Sequence, residues 1–477
     1  MAHRTLIRAG MIIAFQDGEH RLLRNGVVVV EDDRVVHVGP SFEGTADEVV
    51  DLPDHLLTPG LIDAHAHLTS APLDRSFIED VGRPNFSFSG LPEMLPALAT
   101  AIDEPAQRAI VDFSMAELIR SGTTTVMEIG WLGDYTAAAA EKAGLRAYIA
   151  EGYGSARWKT TDGKRMTYAW KEDGGIPGFR YAIDLIERID GRGNGRIKGY
   201  LSPMQVAMAT PELLRLSREA SDRMGVPLAL HTAEAVFEFD EMVQREGMTP
   251  IEWLAKMDFL SDRCILGHVV FTSGNSWIQY PGDDLAILAD HGASVAHCPW
   301  VFARRGIAME SFPSYLAAGV NMCLGSDTAP QSILQAMRTA CVVGKLMSRD
   351  CRKATAREAF DAATLNAARM LHRDDIGRIA KGAKADLLLW NLRGFSMNPC
   401  RDPLKNLVYS AEAADLRHVM VDGRWLMRDH ALLTVDEAGV TRGLAETAER
   451  VWSAIGPGDW AGRDIDTLSP PSLGDFR

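Results

Sequence analysis

The sequence predicts an α/β chain, a (β/α)8 TIM barrel with a small β-sandwich domain formed from both chain ends. Two observations carry this prediction. Between residues 59 and 375, eight short apolar runs alternate with helix-like stretches. Continuous apolar strands separated by helices imply a parallel sheet buried on both faces. At both ends of the chain, β-branched runs joined by turns replace that alternation. A length of 477 residues is too great for one ordinary single-core domain and suits a large barrel with an addition.

In chain order, Gly26–Gly39 holds two valine-rich runs around the charged turn Glu31-Asp32-Asp33-Arg34, a hairpin signature. The eight candidate barrel strands are 61–65, 124–128, 146–151, 197–201, 227–231, 264–268, 293–297 and 321–327. Pro211–Ala220 represents the helices between them. Short β runs return at 385–390 and 418–426. Residues 1–58 with 376–432 are therefore expected to build the small composite β domain, 59–375 the barrel, and 433–477 a helical tail containing the stretch 444–452.

Composition excludes several classes. With 46% hydrophobic and 24% charged residues, the chain is neither disordered nor collagen-like. No apolar run reaches the length of a membrane span, and Asp17-Gly18-Glu19 arrives too early for a secretory signal. Sixty-four acidic against 50 basic residues argue against nucleic acid or an anionic membrane as partner. The six cysteines form no CxxC pair, so a zinc ribbon or redox motif is unsupported and a reducing cytoplasm is expected.

The strand ends carry the chemistry. His65 and His67 close strand 1, His231 strand 5, His268 strand 6, His297 strand 7 and Asp327 strand 8. From His231 onward the intervals are 37, 29 and 30 residues, each about one βα repeat, which places these groups around one rim. His-x-His on a strand directs both imidazoles to one side. Any one of these histidines alone reads as a packed or hydrogen-bonded residue. Together with an aspartate they read as a site for one divalent metal, which makes bound water nucleophilic near neutral pH. Glu234, three residues past His231, shares its face if the chain turns helical there, so its carboxyl can carry a proton to a leaving nitrogen.

These residues resemble the metal-dependent amidohydrolase superfamily. Thr58–His67 resembles its strand-1 motif, and His231-x-x-Glu234, Gly267-His268, His297-Cys298-Pro299 and Gly325-Ser326-Asp327 resemble its later motifs in order. Ala363–Arg369 resembles the helix after its barrel, and Gly382–Leu387 its re-entry into the flanking sheet. The resemblance covers about residues 1 to 430. It is closest to the aminohydrolase and chlorohydrolase branch, which holds deaminases and triazine hydrolases. The resemblance implies His65, His67, His231 and Asp327 as ligands of one metal per subunit, zinc first, with iron, cobalt or manganese also suited. It implies Asp327 as base, Glu234 as proton donor to nitrogen, and His268 as the group orienting water or stabilising the tetrahedral intermediate. Lys198 begins strand 4 rather than ending it, so no carbamylated bridging lysine is expected and the site is read as mononuclear.

Two stretches depart from the branch. Ser202–Glu212 has no histidine after strand 4, and His-Cys-Pro is followed by Trp300-Val301-Phe302-Ala303-Arg304-Arg305. Both argue against a nucleoside or simple nucleobase substrate. Phe77, Phe86, Phe88, Trp158, Tyr168, Trp170, Trp277, Tyr280, Trp300 and Phe302 fall in loops of one rim. They suit an aromatic or heterocyclic small molecule, or packing of loops and subunits against one another. His297, Trp300, Arg304, Glu128 and Trp131 are the candidate substrate contacts; Glu128 and Glu151 also read as satisfied structural carboxylates. The expected reaction is attack of metal-bound hydroxide on a heterocyclic or amidine-like carbon with release of ammonia or an amine. Hydrolysis of an amide, urea or carbamate at the same site is the alternative. Dechlorination is a lesser variant, and the presence of every proposed ligand weighs against a non-catalytic relative. A homo-oligomer is expected from the relatives.

Overall fold

The structure, a computed structural model, describes residues 3–77, 79 and 91–475. Strands β1 (Arg4–Gln16), β2 (Glu19–Glu31) and β3 (Arg34–Gly39) pair antiparallel, and β4 (Glu48–Pro59) runs parallel to β1. Asp17 and Gly18 both take left-handed backbone (φ 53° and 83°), the two-residue turn whose twist matches a hairpin.

Next come β5 (Leu61–Ala66), β6 (Thr123–Gly130) and β7 (Arg146–Glu151). A small antiparallel hairpin of β8 (Ala156–Lys159) and β9 (Thr167–Trp170) follows. The series continues with β10 (Ile197–Gly199), β11 (Leu228–Thr232), β12 (Cys264–His268), β13 (Ser294–His297) and β14 (Asn321–Leu324). Strands β5, β6, β7 and β10 form one parallel sheet, and β11 to β14 form a second. Parallel bridges Leu201–Leu228 and Ala66–Asp327 lie between the two sheets. The architecture is a TIM-barrel-like α/β fold. Its strands coincide with the eight apolar runs of the sequence, with ends moved by a few residues.

Both faces of these strands are buried. One apolar cluster takes Ile62, Met127, Tyr148, Tyr200, Ala229, Ile265, Ala296 and Cys323 from inside the strands. Another joins the alternate residues Val126, Ile149, Leu230, Leu266 and Val295 to helix residues such as Ala140, Leu185 and Leu213. The helix Pro211–Met224 shows the local logic. Thr210 caps it by accepting the Leu213 N–H at 3.2 Å, proline opens it, and Gly225 at φ 68° ends it.

Strands β15 (Leu387–Asn391), β16 (Leu416–Val421), β17 (Arg424–Arg428) and β18 (Ala431–Leu432) join the N-terminal strands. The order is β18-β17-β16-β15-β4-β1-β2-β3, so both chain ends share one eight-stranded sheet. In the tail, the helix Glu437–Ser453 places Arg450 2.8 Å from Asp103, and Phe77 meets Trp452 at a ring distance of 6.0 Å. Phe86 and Phe88 lie outside the described residues. Among the described residues, no helix is long and apolar enough to cross a membrane.

Arg146, 1% exposed at the start of β7, joins the barrel strands to this sheet through Asp422 at 2.6 Å and Asp386 at 3.2 Å. Removing one member of a buried ion cluster leaves charge without compensation. Arg146→Met is therefore expected to cost about 3–5 kcal/mol of stability, read from urea unfolding. An unchanged midpoint would mean that the triad contributes nothing net.

Candidate metal centre and active site

The strand-1 histidines owe their direction to a β-bulge. Asp63 pairs with Val126 and Ala66 with Glu128, so three steps on β5 match two on β6. The extra residue changes the parity of the strand. Ile62 and Ala64 therefore face the interior, and so do His65 and His67 beyond the bulge. Room for His65 comes from glycine. A Cβ on Gly325 would stand 2.7 Å from His65 Cβ and 2.9 Å from Cys298 Sγ.

His268 reaches the same place by a different route. Its neighbour Gly267 lies level with His231 and faces His65, so regular strand geometry would turn His268 to the opposite face. Instead its backbone is left-handed (φ 74°), and its ring comes within 4.8 Å of His65 and 5.3 Å of His231. Asp327 is also left-handed (φ 61°), and its N–H donates to His65 O at 2.9 Å. Such residues are uncommon outside glycine and cluster at functional sites.

His65, His67, His231 and Asp327 each bring one ligand atom to a point, all within 4.8 Å of one another. The hydrogen bonds explain why. His67 Nδ1 donates to Ile129 O at 2.5 Å, and His231 Nδ1 to Met204 O at 2.6 Å. A carbonyl can only accept, so Nδ1 carries a proton in both rings and Nε2 faces the cluster, as a lone pair whenever the ring is neutral. These two Nε2 atoms stand 3.2 Å apart, and Asp327 Oδ1 lies 3.3 Å from His67 Nε2 and 3.2 Å from His65 Nε2. Acceptors crowded in this way require a proton or a cation among them. Three imidazoles and one carboxylate are a donor set that fits a borderline dication such as zinc.

The titration behaviour agrees. Burial works against charge on His67, yet the Asp327 carboxylate lifts it to about 9. Burial and the neighbouring imidazoles hold His231 well below the usual histidine range. Burial disfavours charge on Asp327 too, but His65 and His67 hold its carboxyl well below the usual range. At about pH 7, His67 thus carries the proton that a metal must displace. Calorimetry in buffers of different ionisation enthalpy is expected to show on the order of one proton released per metal, declining as the pH passes about 9. Heats independent of the buffer would contradict this.

Glu234 is 8% exposed, and its carboxyl is pushed up to about 8, first by burial and then by Glu238 and Asp327. Gln205 Nε2 donates to Glu234 Oε2 at 3.2 Å. Glu238, fully buried, accepts the Ala233 and Glu234 N–H groups, both at 2.9 Å. Asp63 accepts the Ser326 hydroxyl at 2.6 Å and the Ser326 N–H at 3.0 Å, tying strand 1 to the residue before Asp327.

Asp63, Gln205 and Glu238 were not singled out from the sequence. Asp63 had a signal, an acid inside an apolar strand. Glu238 had a weaker one, an acid in the first turn of a helix, and Glu234 itself precedes that helix. Gln205 had none.

The remaining candidates are held in varied surroundings. His268 and His297 are buried, each has an Nδ1 without a hydrogen-bond partner among the described residues, and burial pulls each down to about 3. His297 stacks on Phe312 at 5.9 Å and stands outside the four-ligand group. Arg304 Nη2 donates to Thr328 Oγ1 at 2.9 Å, Trp300 Nε1 donates to Ala329 O at 3.3 Å, and both therefore brace the chain just past Asp327. Glu128, raised to about 8 by burial, accepts the Leu68 N–H at 2.5 Å. Glu151 accepts the Gly133 N–H at 2.9 Å. Trp131, just past β6, is 44% exposed. Several rim aromatics pair with neighbouring rings, Trp158 with Phe237 and Tyr280 with Phe239 of the helix Val236–Glu246, and Trp277 with Phe271. Lys198 lies 3.7 Å from Asp190, at the start of β10.

Known proteins resemble the chain along most of its length. The profile of the Amidohydrolase family matches residues 56–426. The 5'-deoxyadenosine deaminase of Methanothermobacter thermautotrophicus is 31% identical over 431 residues, covering 89% of this chain and 94% of that protein. An adenosine deaminase from Xanthomonas campestris, solved with bound zinc, superposes with a TM-score of 0.82 at 24% identity over 94% of this chain and 98% of its own. Atrazine chlorohydrolase from Arthrobacter aurescens TC1, solved with zinc, gives 0.78 at 22% identity over 94% and 100%.

Proposed function

The chain belongs to the Amidohydrolase family, in its aminohydrolase and chlorohydrolase branch, and from that premise we propose a deaminase that acts on a heterocyclic carbon through a single metal site. It is a metal-dependent hydrolase of carbon–nitrogen bonds other than peptide bonds. The observation that carries the deaminase reading is Glu234, a buried carboxyl within reach of the charges of Asp327 and His67, which burial biases toward its protonated form. A departing amine needs that proton, because an amide anion is too poor a leaving group.

His65, His67, His231 and Asp327 would hold the dication. A bound dication supplies a Lewis acid and a water nucleophile available near neutral pH. Asp327, whose carboxyl stays ionised, accepts the proton that the attacking water gives up. Glu234 donates its own proton to the nitrogen as the C–N bond breaks and the C–O bond forms. His268, uncharged at neutral pH, lies against His65 and His231 and orients the water or the developing oxyanion. His297, Trp300, Arg304, Glu128 and Trp131 are the outer residues toward which the substrate is read to extend.

The test is product analysis over a panel that starts with 5'-deoxyadenosine and adenosine, the substrates named for two of the relatives, and adds aminotriazines, aminopyrimidines, aryl ureas and anilides. Ammonia release with a hydroxylated heterocycle supports the reading. Carboxylate or carbamate products would replace it with the amide, urea or carbamate alternative, and chloride release from a chlorotriazine with dechlorination. The alkaline limb of kcat/KM is expected no higher than about pH 8, since a dication can only pull Glu234 downward from there. A limb well above that value would remove Glu234 from the donor role.

The same proposal takes the two parallel sheets as one closed barrel, supported by the bridges at Leu201–Leu228 and Ala66–Asp327. It takes 59–375 as the barrel domain, 1–58 with 376–432 as a sandwich curled around Ile7, Ile12, Val28, Leu387 and Met420, and 433–477 as a docked tail. A cytoplasmic homo-oligomer acting on a small aromatic or heterocyclic molecule completes it.

A further inference from the structure

We infer that Gln205 and Glu238 are positioning residues for Glu234, and that the Trp158 indole sets the orientation of the Gln205 amide; the inference rests on the proton-donor reading of Glu234. Four elements converge here. Gln205 follows β10 and bridges to His231 of β11. Trp158 sits on β8, and Glu238 lies in the helix Val236–Glu246.

The indole N–H can only donate, and it reaches Gln205 Oε1 at 2.9 Å. That contact identifies the oxygen end of the amide and leaves its NH2 end turned toward the carboxylates. Nε2 then donates to Glu234 Oε2 at 3.2 Å and reaches toward Glu238 Oε2 at 3.5 Å. Glu238 in turn holds the backbone on which Glu234 stands. It accepts both N–H groups of Ala233 and Glu234, across the left-handed turn at Ala233 (φ 51°). Gln205 is 1% exposed and Glu238 fully buried, so water does not substitute for either contact at low cost.

One oxygen of Glu234 is therefore fixed by a neutral donor while the carboxyl as a whole is anchored through its own backbone. A glutamate with free torsions would sample several rotamers and present its proton only part of the time. A histidine or lysine in place of Gln205 would bring a charge that competes for the carboxyl; the amide holds it without ionising it. The link through Trp158 also makes the β8–β9 hairpin part of the support for Glu234.

The test uses the full-length, metal-loaded protein. Gln205→Leu keeps the bulk and removes the donor. It is expected to lower kcat about ten- to hundredfold, with KM and metal content near wild type and Tm lowered by the buried partners left unpaired. In a Glu234→Gln background the same change is expected to add little, because the two residues act as one unit. Trp158→Phe, which removes the N–H and part of the ring but keeps an aromatic side chain, is expected to follow the same pattern more weakly and serves if Gln205→Leu does not fold. Wild-type kcat in both variants, or losses that add in full to that of Glu234→Gln, would overturn the inference while leaving the deaminase reading intact. Absence of amine release by the wild type on the whole panel would instead sink the functional reading. The inference is then decided by crystal structures of wild type and Gln205→Leu: a displaced Glu234 carboxyl in the variant supports it, and an unmoved one overturns it.

Discussion

Asp327→Asn is expected to abolish stoichiometric metal binding and to lower kcat by about four orders of magnitude or more. Asp327 is the one carboxylate among the four converging ligand atoms. Its replacement leaves three neutral imidazoles to balance a dication. It also removes the acceptor proposed for the proton of the attacking water. The fold has little reason to fail, because the backbone bond from residue 327 to His65 O, at 2.9 Å, does not involve the side chain. The partner that lifts His67 to about 9 disappears as well. Any residual metal uptake forced at high metal concentration is therefore expected to release no proton at neutral pH. Elemental analysis, steady-state rates and calorimetry check these three consequences. A variant holding one metal per chain at the wild-type rate would end the proposed mechanism.

Glu234→Gln separates proton donation from metal binding. The amide keeps the size of the carboxyl and its hydrogen bond with Gln205, given a flip of one amide, but it has no acidic proton. Metal content and stability are expected to match wild type, with kcat for amine release lower by about 10²–10⁴-fold. KM is expected to change little, since the loss falls on bond breaking rather than on binding. Substrates whose leaving group departs without a proton, such as chloride, are expected to lose less. Equal losses on both kinds of substrate would assign Glu234 to binding or to water activation instead.

Much of the fold was legible because a parallel strand buried on both faces must be apolar along its whole length. Runs such as Pro227–Leu230 and Cys264–Leu266 stand out for that reason, and the βα repeat lies open in the spacing of the polar residues that end them. The hairpin around Asp32-Asp33 was legible from β-branched alternation. The long strands β1 and β4 were not separately marked, because their mixed patterns, one of them with Pro53 inside, follow no single period. The order that brings β15 beside β4 was also out of reach, since pairing across more than 300 residues leaves no local trace.

The site divides along the same line. By itself the sequence picked out the four candidate ligands, which the structure gathers at one point, because only a few side chains bind a borderline dication and each stands at the close of an apolar run. It also marked Glu234, though the helical turn expected after His231 is absent: a left-handed Ala233 (φ 51°) leads out of β11 and the helix begins only at Val236. The tertiary structure alone decided direction. The bulge after Asp63 turns His65 and His67 inward, and the left-handed backbone of His268 brings to the site a ring that strand parity sends away. It alone assembled Trp158, Gln205 and Glu238 around Glu234, and Arg304 and Trp300 around the chain past Asp327. The physical reason is common to all of these. Residue chemistry is local and survives in a linear reading, whereas one inserted residue or one reversed φ changes the face a side chain points to without changing the residue itself.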